Sequence, residues 1–315
     1  MIVEGDALAW SWQVGALEPI GGSLFVAKQW EPGVVVLDGA ASGPPKLVSR
    51  YVPKSVGYLF HFLEEWPALA LVSREAIELV SLDDPARPRL LALHEFEVGW
   101  QRALTVMGTD LYVTHENGVA WLDPKSGKPQ HLFDVPGDEF FRSYPTGLAH
   151  HGEWLFVAGR HGGLHAYRRK AQREFEHVRA VKRTYTPTRL QWWVPGRVLL
   201  LVGNEDVIAV DVSKPETMKA STSCKLKRAE LETPLVKLSD DRAFAAGHRL
   251  RSKQVIFGTV DLANPLAPKL LSEDVVDAAD GADLRDAGCL RVGSQVFVAS
   301  VYLERMRIFA PARVT

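Results

Sequence analysis

The segment LFVA at residues 24–27 recurs along the whole chain with small apolar substitutions. Its repeats are LALV at 69–72, LYVT at 111–114, LFVA at 155–158, LLLV at 199–202, AFAA at 243–246 and VFVA at 296–299. The intervals are 45, 42, 44, 44, 44 and 53 residues, and the last contains the acidic insertion VVDAADGADLRDAG (275–288). A near-constant period of this length indicates a repeat protein.

Every repeat except the seventh contains the pattern of four short strands. The recurring segment is followed by a polar turn and a second apolar run, such as VVVLD (34–38) or VIAVD (207–211), and then by a third run, such as KLVSRYV (46–52). A returning segment, such as RALTVM (102–107), leads into the next repeat. Four strands in 40–50 residues are typical of a β-propeller blade.

The repeat length predicts an all-β fold, a single seven-bladed propeller that spans residues 1–315, because 315 residues hold about seven such repeats. The repeats that we expect are roughly 16–56, 57–100, 101–141, 142–186, 187–232, 233–282 and 283–315. The seventh lacks a fourth strand. In residues 7–14, Leu8, Trp10, Trp12 and Val14 alternate with smaller or polar residues. We therefore expect strand 7–14 to pair onto the last blade and close the ring.

Three segments resemble the LVIVD repeat: SLDDPARPRLL (81–91), VDVSKPETMKA (210–220) and VDLANPLAPKLL (260–271). GVVVLDGAASGPPKLV (33–48) is a looser version, and LHAYRRKAQREFEHV (164–178) departs most. The resemblance implies a β-propeller and no single activity. The motif's aspartate is expected to cap the turn by accepting backbone N–H hydrogen bonds, and its prolines to stiffen the bend. Propellers of this family are often secreted or surface-attached.

Composition and charge exclude several classes of protein. Lys and Arg number 37 against 38 Asp and Glu, so no strong nucleic-acid binding is expected. No apolar stretch is long enough to predict a membrane span, and the first residues do not resemble a signal peptide. Cys224 and Cys289 lie in different repeats and are predicted to be unpaired thiols. We therefore expect a cytoplasmic protein.

A binding surface is predicted on one face of the propeller. The turn that follows each recurring segment, between the second and third strands of a blade, lies on this face together with the loops that link the blades. Aromatic and arginine side chains, which protein interfaces favour, are frequent there. The residues of this predicted binding face are Trp30, Arg74, Trp100, Arg102, Phe140, Phe141, Arg142, Tyr144, Arg160, Arg249 and Tyr302. Phe140 and Phe141 are alternatively explained by packing between blades three and four.

Catalytic candidates are few, since no common catalytic or nucleotide-binding motif is present. His115, His161 and His248 lie in equivalent turns, where they would act as metal ligands or as acid–base groups with Glu116 or Glu205 as the carboxylate partner. His150 and His151 are adjacent on a predicted strand, so they should point to opposite faces. The basic run RRKAQREFEHVRAVKR (168–183) favours an exposed outer strand over a phosphate-binding stripe.

Together these patterns favour a non-enzymatic scaffold or complex subunit whose partner is another protein. We expect no cofactor, no bound metal and no membrane insertion. One alternative is a hydrolase, lyase or isomerase with a histidine/carboxylate site at the channel mouth. A second alternative is recognition of a small ligand or glycan by the same face.

Overall fold

The structure is a computed structural model in which strands dominate. It describes residues 14–29, 33–39, 45–54, 59–73, 76–95, 103–115, 118–123, 128–137, 144–159, 162–182, 189–203, 206–226, 229–231, 234–249, 254–277, 288–293, 295–299 and 307–309. Within these ranges the only helix is a 3-10 turn at Pro215–Thr217, and no helix is long and apolar enough to cross a bilayer.

Four antiparallel sheets of four strands begin the chain, and we call them blades 1 to 4. Blade 1 consists of β1 (Val14–Gly21), β2 (Leu24–Gln29), β3 (Gly33–Asp38) and β4 (Lys46–Tyr51). Blade 2 consists of β5 (Leu59–Leu63), β6 (Ala68–Val72), β7 (Ala76–Ser81) and β8 (Arg89–Glu95). Blade 3 consists of β9 (Leu104–Met107), β10 (Asp110–His115), β11 (Gly118–Leu122) and β12 (Pro129–Asp134). Blade 4 consists of β13 (Pro145–His151), β14 (Trp154–Gly159), β15 (Gly163–Ala171) and β16 (Glu174–Val181).

Blades 5 and 6 each contain one strand that is divided in two. Blade 5 consists of β17 (Arg189–Val194), β18 (Val198–Gly203), β19 (Asp206–Asp211) and an outer strand split into β20 (Lys219–Ala220) and β21 (Cys224–Lys225). Blade 6 has an inner strand split into β22 (Ala229–Glu230) and β23 (Val236–Lys237), followed by β24 (Arg242–Arg249), β25 (Gln254–Asp261) and β26 (Lys269–Asp277). The last sheet consists of β27 (Gly288–Val292), β28 (Gln295–Ala299) and β29 (Arg307–Phe309).

Apolar cores lie between neighbouring sheets all along the chain. The middle strands β6, β7, β11 and β18 are buried along their whole length, which explains why their sequences are almost entirely apolar. Blade 1 also packs on the last sheet, where Leu17, Phe25 and Leu37 share a core with Leu290 and Phe297. The chain is therefore a β-propeller of four-stranded antiparallel blades.

The prediction of seven four-stranded blades needs correction. Six sheets have the four-stranded pattern, whereas the last sheet has three strands within the described residues. Val14, predicted to belong to the closing strand, instead begins β1 and pairs with Gln29. Residues 7–13, the rest of that predicted strand, lie outside the described part of the chain.

The antiparallel path of each blade defines two faces. Successive turns alternate between the two ends of the strands. The loop face carries the blade-linking loops and the second-to-third-strand turns, and the turn face carries the remaining turns. Turn-face contacts link neighbouring blades, as where Trp66 Nε1 donates to the Gly108 carbonyl at 3.2 Å.

Candidate functional site

The predicted binding face is described only in part. Tyr144 directly precedes β13 on the loop face and is 48% exposed. His115 ends β10 on the same face and is half-buried. The backbone of His248 and Arg249 ends β24, while their side chains are not among the described ones. The other predicted site residues lie outside the described ranges: Trp30, Arg74, Trp100, Arg102, Glu116, Phe140, Phe141, Arg142, Arg160, His161, Glu205 and Tyr302.

A histidine/carboxylate chain lies on the turn face, opposite to the predicted site. His150 Nδ1 is 2.9 Å from the Thr105 hydroxyl, and His150 Nε2 is 3.4 Å from Glu65 Oε1. The three residues come from β13, β9 and the β5–β6 turn, so three successive blades meet here. Burial lowers the pKa of His150, although the Glu65 carboxylate opposes this shift. A neutral imidazole between a hydroxyl and a carboxylate can accept or pass on a proton.

The neighbouring His151 points the other way, as predicted. Its ring lies 6.0 Å from the Trp192 ring of blade 5, edge to face. The prediction that His150 and His151 lie on opposite faces of their strand is therefore confirmed.

Glu18 is an acidic residue on an inner strand whose carboxyl has a shifted pKa. It lies on β1, and burial raises the pKa of its carboxyl to about 7, although Arg189 of β17 opposes that shift. A backbone hydrogen bond at Phe62 also favours the charged form. The side chain keeps partial access to solvent. Glu18 therefore titrates near neutral pH.

Asp110 joins blades 3 and 4 on the turn face. Its carboxylate accepts a hydrogen bond from Trp121 Nε1 at 3.2 Å and one from Arg169 Nη2 at 2.6 Å. Tyr112 OH and Gln172 Nε2 approach the same carboxylate at 3.4 and 3.5 Å. Asp110 is only 4% exposed, and the Arg169 guanidinium balances the charge of its carboxylate inside the junction.

The tip of the β15–β16 hairpin completes this junction. The Arg173 guanidinium lies 3.2 Å from the Trp121 ring centroid, a cation–π contact. Arg173 has φ +66°, unusual for a residue other than glycine. The Phe175 ring packs edge-on against Tyr112, with centroids 5.4 Å apart.

A buried histidine lies further along the same hairpin. His165 Nδ1 is 3.2 Å from Nε2 of the exposed His177, and the Tyr167 ring stacks on Phe133 of blade 3 with centroids 4.2 Å apart. His165 Nε2 and Tyr167 OH are buried polar atoms without a hydrogen-bond partner. Burial and the nearby His177 lower the pKa of His165 to about 4.

Three successive cations at the start of the basic run 168–183 pair with neighbouring carboxylates. Arg168 pairs with Glu153 at 2.9 Å, Arg169 with Asp110 at 2.6 Å and Lys170 with Glu176 at 2.5 Å. The predicted exposed outer strand is confirmed, since β16 is exposed or half-buried throughout. These internal pairs disfavour the alternative of a phosphate-binding stripe.

Both cysteines are buried free thiols. Cys289 lies on the inner strand β27, as predicted, and is 2% exposed. Burial raises the pKa of the Cys224 thiol to about 11 and that of Cys289 further. Nucleophilic chemistry is therefore disfavoured at either thiol.

Sequence reasoning missed Asp110, His165 and the partners of His150. The sequence did contain one signal for buried polar groups. His165 and Glu78 occupy the same central position of the third strand in blades 4 and 2. Each is a titratable residue inside an otherwise apolar run, and both are buried. The carboxylate of Glu78 accepts a hydrogen bond from Tyr51 of blade 1 at 3.1 Å.

No family model matches the chain, and no curated protein matches it. Within the described ranges, no three His, Cys, Asp or Glu side chains are placed to hold a metal ion.

Proposed function

We propose that this chain is a non-enzymatic β-propeller that binds another protein through its loop face. The observation that carries the proposal is Tyr144, an aromatic side chain 48% exposed beside the first residue of an inner strand. Tyrosine combines a large apolar surface with a hydrogen-bonding hydroxyl and is enriched at the centres of protein interfaces. The rigid sheets beneath would hold such a residue in one position.

Alanine substitution tests the loop face. The variant Phe140→Ala/Phe141→Ala/Tyr144→Ala should lose proteins that co-purify with the tagged wild type from native extract, while its melting temperature stays within about 3 °C. Glu174→Ala is the matched control, because Glu174 is exposed on the turn face. Equal recovery by the triple variant, or no partner for the wild type, would overturn the proposal.

A second candidate function is an enzyme with a histidine/carboxylate site at the channel mouth. The Thr105–His150–Glu65 chain favours it, although this chain lies on the turn face. A panel of model esters, lactones and glycosides should then show turnover that His150→Gln abolishes and His151→Gln retains. Absence of turnover above buffer across the panel would refute this candidate.

We further propose that the ring has seven blades and that residues 7–13 supply the missing strand of the last sheet. The shared core of blade 1 and the last sheet supports this, as does Leu47 of β4, which pairs opposite the core residue Leu37 yet is 46% exposed. Trp10→Asp and Trp12→Asp should lower the melting temperature, whereas Ser11→Asp and Gln13→Asp should not. Equal effects of both pairs would contradict the proposed strand.

The LVIVD character of the repeat is also a proposal. Its support is a turn-capping hydrogen bond at each of two motif aspartates, of the kind that the motif leads us to expect. Asp211 Oδ1 accepts from the Ser213 backbone N–H at 3.0 Å, and Asp261 Oδ1 accepts from that of Ala263 at 2.9 Å. These bonds give the motif a scaffold role.

A further inference from the structure

The β15–β16 hairpin is attached to blade 3 by the side chains of one face. His165 and Tyr167 alternate along β15 with residues that pack toward blade 5, and Tyr167 pairs directly with His177 of β16. The attachment has two parts. At the tip, Arg169 binds Asp110 and Arg173 covers Trp121. In the second part, next to the tip, Tyr167 and Phe175 pack on Phe133.

The His165–His177 pair lies in the second part, beside the Tyr167–Phe133 stack. The ring centroids of Tyr167 and His177 are 5.0 Å apart, and those of His165 and His177 are 5.3 Å apart. His165 is 3% exposed and lies beneath the exposed His177, so protons can reach the pair from solvent through His177.

The hydrogen bond between the two rings exists only while one facing nitrogen lacks a proton. In the neutral pair, either His165 Nδ1 or His177 Nε2 donates and the other accepts. One added proton leaves the bond intact with a cationic His177 as the donor, because its Nε2–H then donates to the unprotonated Nδ1 of His165. A second proton, on His165, turns both facing nitrogens into donors 3.2 Å apart and places two cations there.

Among the residues that the structure describes, no acidic side chain acts on His165 to neutralise that second charge. On the hairpin, Lys182 and His177 disfavour a cationic His165, and only the backbone of Gly162 favours it. From blade 3, Asp134 of β12 acts on Tyr167 and also contacts His131 at 3.3 Å. Asp110 of β10 is engaged by Arg169.

We propose that the His165–His177 pair is a proton-operated latch that releases the β15–β16 hairpin from blade 3 in an acidic environment. Release exposes both imidazoles to water, where they carry their charges without repulsion. It also separates Tyr167 and Phe175 from Phe133, so apolar surface at the blade 3–4 junction becomes accessible. This proposal does not depend on loop-face binding.

Hydrogen exchange measured by mass spectrometry tests the latch in the full chain. The pKa of His165 is about 4 in the closed state against 6.5 for an ordinary histidine, so the opening equilibrium should increase about 20-fold between pH 7 and pH 5. After correction for intrinsic exchange, amides of β16 should show this increase. Those of β18 and β19, which report global unfolding, should change by less than about 3-fold.

Two substitutions separate the latch from general acid sensitivity. His165→Leu should abolish the increase in β16, because an apolar side chain of similar size takes no proton. His165→Gln serves the same purpose if the leucine variant folds poorly. His131→Gln, on the adjacent β12, should keep the full increase. A wild-type increase below about 2-fold, or an undiminished increase in the His165 variants, would overturn the proposal.

Discussion

Asp110 shows at the scale of one residue how this propeller joins neighbouring blades. Its buried carboxylate receives hydrogen bonds from its own blade through Trp121 and from blade 4 through Arg169. Arg168, the preceding residue, forms an ion pair with Glu153 in which both side chains are about half exposed. The two adjacent arginines therefore make contacts of very different energetic value, because a buried charge left without its partner is costly.

Asp110→Asn should lower the free energy of unfolding by about 3 kcal/mol, because it leaves the partly buried Arg169 cation without an anion. Glu153→Gln, which breaks the exposed pair, should cost less than about 1 kcal/mol. Urea titration followed by tryptophan fluorescence measures both. Equal costs for the two variants would contradict the interpretation of Asp110 as an inter-blade anchor.

The cysteines give a second prediction for single residues. Cys224 and Cys289 are buried, and burial raises the pKa of both thiols. A colorimetric disulfide reagent at pH 8 should therefore label neither thiol in the native protein and both in 6 M guanidinium chloride. Rapid labelling of the native protein would contradict the burial of Cys224 and Cys289.

At the scale of strands, apolar periodicity predicts the middle of each blade and fails where a polar group makes a contact between blades. The run VIAVD corresponds to β19, a buried strand, as expected. The inner strand of blade 6 is divided instead, and beside the division the Leu235 backbone pairs with the side-chain amide of Gln191 from blade 5. Such a contact depends on residues 44 positions apart, so no local pattern reveals it.

Glu18 on the inner strand β1 makes stability depend on pH. Its pKa is about 7 in the folded protein against 4.5 ordinarily, so the folded state holds a proton that the unfolded state has lost between these values. The stabilisation that the protonated Glu18 carboxyl contributes is fully present below pH 4.5 and is lost as pH rises through 7.

Glu18→Gln should therefore raise the free energy of unfolding at pH 8, by at most about 3 kcal/mol, and leave it nearly unchanged at pH 4. Glu95→Gln, an exposed residue at the end of β8, should change little at either pH. Denaturant titrations at the two pH values measure the difference. Destabilisation by Glu18→Gln at pH 8 would contradict the burial of a charged carboxylate.

At the scale of the whole molecule, the repeat predicts the propeller because packing between blades requires the same apolar strands in every repeat. The candidate sites follow no such rule. The Thr105–His150–Glu65 chain combines three different blades, and its members occupy different positions within them. Loop-face residues such as Tyr144 are recognised in the sequence by residue type alone. The fold was therefore predictable from the sequence to the level of four-stranded blades, whereas the contacts that form the candidate sites are visible only in the three-dimensional structure.

Photocrosslinking from Tyr144 tests the proposed loop-face interaction most directly. A benzophenone amino acid replaces Tyr144 in one protein and Glu174, on the turn face, in another, and both are irradiated in native extract. We predict a discrete protein adduct from position 144 that position 174 does not form. No adduct from position 144, or the same adducts from both positions, would contradict binding through the loop face.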